Sequence, residues 1–223
     1  MNALMPDEVV RRLAENGSGL DGLVSERGGR TVESRAFTRP EIRRADDGES
    51  LLLVGYATVW DYPYDVAGGA ERGGWSETIA AGAATKSLLE RDDVRLLLNH
   101  DGIPLARTKS GTLKLTADDI GLLVEASLDP SSSLVSSIRS ALERSDMDEM
   151  SFAFRVIKQV WSGDYAERII TEVALHDVSI VTFPANPATL VKLRSDVDSS
   201  PTVTGIDLRT AKAVRDSLSL SRN

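Results

Sequence analysis

Cysteine is absent from this chain of 223 residues, and histidine occurs only twice. The first absence excludes disulfides and thiolate nucleophiles, and it fits a reducing compartment. The second leaves few ways to assemble general-base chemistry, so each histidine becomes a candidate. No apolar run approaches the roughly 20 residues that a bilayer span requires. The opening residues lack a basic stretch followed by an apolar one, so no secretion signal is expected. Acids outnumber bases 34 to 26, for a net charge of −8 and a pI near 4.9. That balance argues against general binding to nucleic acid.

What is present is enough for a packed core, with 41% hydrophobic and 27% charged residues. The length suits one ordinary domain with tails, or two small ones. Residues 1–34 read as a flexible N-terminal arm. A short amphipathic helix over 6–14 places Val9, Val10 and Leu13 on one side, and Gly17, Gly19, Gly22, Gly28 and Gly29 then interrupt the chain. Residues 35–194 read as the main domain. Residues 195–223 form a tail, with a serine-rich linker and then a weakly amphipathic helix over 205–220.

Within the main domain, short β-branched and apolar runs predict strands at 51–60, 94–99, 105–108, 112–116, 121–128, 150–161, 167–175 and 178–183. Residues 61–74 read as a turn-rich loop. Helices are expected over 79–90, capped by Ser76, over 131–144, and over 187–194. The spacing is too short for regular strand-helix-strand units, so the class is mainly β with flanking helices.

Three positions stand out for chemistry. Ser151 lies in Met150-Ser151-Phe152-Ala153-Phe154, opposite an apolar stripe and beside the small Ala153. It reads as a nucleophile or as an ordinary exposed strand serine. His100 ends the run Leu96-Leu97-Leu98-Asn99, where a rigid strand meets a turn. It reads as a base for a serine hydroxyl or as a loop histidine bonded to Asp101. In Leu175-His176-Asp177-Val178-Ser179, a regular strand puts Asp177 on the face of Leu175, Ser179 and Val181, with His176 opposite. A carboxylate on such a face needs a partner, and a histidine N–H would serve. Glu172 is a weaker candidate for the same role. The pairs His100-Asp101 and His176-Asp177 also admit a metal, but nothing in their spacing demands one, and the further histidines that His-Asp phosphohydrolases use are absent. No metal and no cofactor are expected.

The ordered succession Gly55-Tyr56-Ala57-Thr58-Val59-Trp60-Asp61, Leu98-Asn99-His100-Asp101, Ser110-Gly111-Thr112-Leu113-Lys114-Leu115, Met150-Ser151-Phe152-Ala153-Phe154 and Val178-Ser179-Ile180-Val181-Thr182-Phe183-Pro184-Ala185-Asn186-Pro187 resembles the prohead (head maturation) serine proteases of tailed bacteriophages. The resemblance implies a closed or partly closed β-barrel core of the herpesvirus-assemblin type. It implies an endopeptidase inside the assembling prohead, in the bacterial host cytoplasm and not secreted. Its substrates would be scaffold or delta-domain segments of the major capsid protein, and afterwards the protease itself. A homodimer stays open; membrane and nucleic-acid partners are not expected. In the family the histidine of the Asn-His motif and the serine of the Met-Ser-Phe motif carry catalysis, which maps to His100 and Ser151. Asp177 stands where members often have glutamate. Assemblins use a second histidine as third member, which keeps His176 in view. The rivals are a non-enzymatic head-assembly domain of the same fold, and an esterase. The second would usually carry a Gly-x-Ser-x-Gly elbow, which does not surround Ser151.

Overall fold

The computed structural model describes residues 6, 8, 9, 11, 15, 24–27, 30–36, 40–44, 51–90 and 93–182. The expected helices over 187–194 and 205–220, the linker and the Phe183–Pro187 motif lie outside the described residues.

Among the described residues twelve strands dominate: β1 (Val24–Arg27), β2 (Arg30–Ala36), β3 (Glu41–Arg44), β4 (Leu51–Val59), β5 (Tyr64–Val66), β6 (Trp75–Ile79), β7 (Arg95–Leu98), β8 (Asp101–Arg107), β9 (Leu113–Ala117), β10 (Gly121–Leu128), β11 (Glu149–Trp161) and β12 (Glu167–Val181). Two α-helices join them, α1 (Thr85–Glu90) and α2 (Ser133–Glu143). Helix α2 starts as its sequence suggests, with the Ser132 hydroxyl accepting from the Val135 N–H, and it buries Val135, Ile138 and Leu142.

The strands make two open sheets. One is eight-stranded and mixed, in the order β1-β2-β11-β12-β6-β5, with β7 bonded to β12 and β8; the other is antiparallel, in the order β3-β4-β10-β9. Neither closes on itself among the described residues, so the closed barrel is replaced by two sheets sharing one core. Leu53, Leu122 and Val124 from the small sheet join Phe152, Phe154, Leu175 and Ile180 from the large one, all fully buried. Phe152 and Phe154 stack at 4.4 Å between centroids. The sheets meet tightly at Gly55, where an added Cβ would lie 2.7 Å from Met150 Sδ. A side chain there would displace the Met150 side chain and crowd the Pro40 backbone.

Several elements differ from the sequence reading. Residues 75–79 form β6, parallel to β12, and the helix begins only at Thr85, so Ser76 is a strand residue and no cap. The alternation Trp75, Glu77, Ile79 is disguised by a carboxylate on its buried side. That charge is tolerable because Arg168 Nη1 donates to Glu77 Oε2 at 2.8 Å. The loop over 61–74 contains β5 and a 3-10 turn at Ala70–Arg72, both too short to show a period. Strands β1 and β2 fall in the segment read as an arm; their sequence is polar, and β2 gains its order by pairing with β11. Val9, a helical residue in the segment over 6–14, is fully buried against Val66, Ala67 and Trp75.

The two strands expected at 167–175 and 178–183 are one, β12. It pairs antiparallel with β11 along its length, while its first half runs parallel to β6 and its second half parallel to β7.

Candidate active site

A shift of register in β12 builds the site. Ala153 pairs with Asp177, but the next residue, Phe154, pairs with Leu175, so His176 is an extra residue without a partner strand position. Such a bulge reverses the alternation of faces. Leu175, Val178 and Ile180 therefore all reach the core, and Asp177 and Ser179 face the other way, beside Ser151 and Ala153. This corrects the expectation that Asp177 shares its face with Leu175. A regular strand would have placed the carboxylate in the hydrophobic core.

The histidine arrives from the far side of β12. Strand β7 ends at Leu98, which pairs with Asp101, leaving Asn99-His100 as a two-residue hairpin turn. Both have positive φ, 52° and 60°, the backbone of a type I′ turn. Asparagine suits that conformation; histidine is a rarer occupant. The turn is tied down from β12 and just beyond it. Asn99 N–H donates to the Ile180 carbonyl at 2.9 Å, and the Asn99 side chain donates to Thr182 Oγ1 at 3.0 Å and accepts from Thr182 N–H at 2.8 Å. His100 N–H donates to Ser179 Oγ at 3.1 Å. Asp101, read as part of the turn, is the first residue of β8.

These ties aim the ring. His100 Nδ1 lies 2.6 Å from Asp177 Oδ1, and Nε2 lies 2.8 Å from Ser151 Oγ. A carboxylate only accepts, so the proton belongs on Nδ1, and Nε2 is left to accept from the serine hydroxyl. Ser151 is fully buried, and the Asp177 and His100 side chains are 2% and 10% exposed. The ring is thus the most exposed of the three. Ser179 donates to the same Asp177 oxygen at 3.0 Å, which holds the carboxylate in place under the ring.

The structure thus brings His100, Ser151 and Asp177 together. His176 stands beside them rather than among them: its Nδ1 is 3.3 Å from Asp177 Oδ2, and it has no bond to Ser151 or His100 among those described. The bulge explains why it reaches Asp177 at all, since in a regular strand it would face away. Glu172 does not join the site; its carboxylate pairs with Lys86 and Lys158. Sequence reading missed Ser179, Asn99 and Thr182 as supports. The available signal was the i, i+2 spacing of Asp177 and Ser179, which puts two polar groups on one face.

Glu149, at the start of β11, carries no motif that would single it out in the sequence. Burial, with repulsion from Asp148, pushes its carboxyl up to about 7.

The family model described as caudovirus prohead serine protease matches residues 39–201. The prohead protease of Enterobacteria phage HK97 is 26% identical over 196 residues, covering 86% of this chain and 80% of that protein. No solved structure matches the chain. The family match runs from β3 through the end of β12 and takes in every strand of the site, so the chain belongs to the caudovirus prohead serine proteases, the serine peptidases of phage head maturation.

Proposed function

We propose that Ser151 is the nucleophile, His100 the general base and Asp177 the residue that orients it. The observation that carries this is the unbroken line Ser151 Oγ, His100 Nε2, His100 Nδ1, Asp177 Oδ1, with 2.8 Å and 2.6 Å steps. Ser151 Oγ attacks the scissile carbonyl carbon while its proton passes to Nε2. Asp177 stabilises the imidazolium that results. The proton then goes to the leaving amine, and water releases the acyl group by the same path in reverse. Because Ser151 is buried in the free chain, substrate must displace what covers it before attack.

The substrates we assign are scaffold or delta-domain segments of the capsid protein, cut inside the assembling prohead in the host cytoplasm. The protease itself follows, with self-cleavage in the polar segment 195–205 or the glycine-rich segment 17–29. A kinship with the assemblins is the finer fold reading. The test is co-expression with the capsid protein, comparing wild type and Ser151→Ala by intact mass. Shortened capsid protein and new protease termini are expected only with wild type. Identical masses in both strains would remove the assignment.

A further inference from the structure

Glu149 begins β11 two positions before Ser151. Alternation along the strand puts both on one face, about 7 Å apart at the usual rise per residue. Across from Glu149 in β12 is Val181, which brings no donor and no charge. The Glu149 Oε2 is shielded from solvent and makes no hydrogen bond. Buried acceptors are satisfied as a rule, and exceptions call for a reason. Elsewhere this protein follows the rule closely: among the described residues, only Trp161 Nε1 shares this condition. An acceptor kept dry beside the nucleophile is ready for a donor that comes with the substrate.

The kind of donor follows from charge. Asp148 stands next in the chain and already disfavours a second negative charge. A cation relieves both the repulsion and the desolvation, whereas a neutral hydroxyl or amide relieves neither fully. In an extended substrate, side chains two residues apart are also about 7 Å apart. A residue flanking the scissile bond can therefore reach Glu149 while the carbonyl sits at Ser151. We propose, with Ser151 as the nucleophile, that Glu149 is a specificity residue that receives a lysine or arginine side chain within two positions of the bond cut. The segment in which self-cleavage is proposed begins directly after Lys192 and Arg194, and Arg27 and Arg30 flank the end of the other.

The test is digestion of a proteome-derived peptide library by the purified full chain, with cleavage sites read by mass spectrometry. Wild type, Glu149→Gln, Glu149→Lys and Ser151→Ala are compared. Wild type should enrich lysine and arginine at one position within two residues of the cut. Glu149→Gln should lose that enrichment. It should also lower kcat/KM at least ten-fold, mainly through KM, on a lysine peptide but not on its methionine counterpart. Glu149→Lys should shift the preference to aspartate and glutamate. Unchanged preferences in Glu149→Gln, or no basic preference in wild type, overturn the proposal. The isosteric Gln variant decides the matter even if the Lys variant fails to fold. Cleavage surviving in Ser151→Ala would instead strike at the nucleophile.

Discussion

Strand β12 carries a buried polar cluster toward each end, and the two differ in what their protons can do. Toward the start, Arg168 donates to Glu33, Glu77 and Gln159 at 2.7–2.9 Å, across as many as 135 residues of sequence. Toward the other end, Asp177 holds His100, which holds Ser151. Both are long-range, and both are almost wholly out of water. In the Arg168 cluster the central group is a permanent cation facing two carboxylates, so no proton has anywhere to go. In the Asp177 cluster the line ends on a neutral hydroxyl whose proton has a waiting acceptor. Burial and good hydrogen bonding therefore do not separate scaffold from chemistry; a transferable proton with an acceptor waiting for it does.

That contrast can be broken at either end. The largest effect should come from Ser151→Ala or His100→Ala, each lowering kcat by about 10⁶-fold, with the double variant no worse than either single, because the residues act as one unit. Thermal melts of these variants should match wild type, and a large drop would move this cluster to the structural side. Asp177→Asn should lower kcat by about 10⁴-fold through the wrong imidazole tautomer. His176→Ala, assayed beside it, should stay close to wild type. The opposite ranking would hand the orienting role to His176.

Arg168→Ala should act on stability instead. It strands two buried carboxylates, for a loss of about 3–5 kcal/mol in denaturant unfolding. The folded fraction should retain wild-type kcat; a lost kcat at full stability would erase the distinction between the clusters. A smaller effect on stability belongs to Glu149→Gln. The Glu149 carboxyl, raised to about 7 from 4.5, holds its proton more tightly folded than unfolded. Its contribution is complete below pH 4.5 and is lost as pH rises through 7. Glutamine never ionises, so the variant should melt about 2–4 °C higher than wild type at roughly pH 8 and equally at about pH 4. A gain confined to the acid side would reverse the sign and refute the burial argument.

Much of this architecture is legible in the amino-acid sequence. Long apolar runs such as Leu51–Val59 and the one-turn spacing of Ile138 and Leu142 declare their elements, because one face of each is buried. The proposed nucleophile and base, Ser151 and His100, are singled out by their motifs, and the structure brings the two side chains to 2.8 Å. The turn-borne aim of His100 is not, since nothing in one sequence reveals that both turn residues take positive φ. Strand β6 hides because its inward carboxylate is neutralised by a residue 91 positions away. Strand β12 reads as two because its buried residues Ile170, Val173, Leu175, Val178 and Ile180 recur at intervals of three, two, three and two. Each interval of three marks a bulge, a signal that strict alternation templates discard.

The unpaired strand position of His176 has a consequence in the terms of heredity. A single-codon deletion inside a strand is ordinarily ruinous, because every residue beyond it changes sides. Here the native chain already contains that shift as an added residue. Removing codon 176 would leave Val173, Leu175, Val178 and Ile180 in unbroken alternation, with Asp177 and Ser179 still opposite them. This strand, bonded to three others, can therefore change its length at His176 without exchanging its inside for its outside.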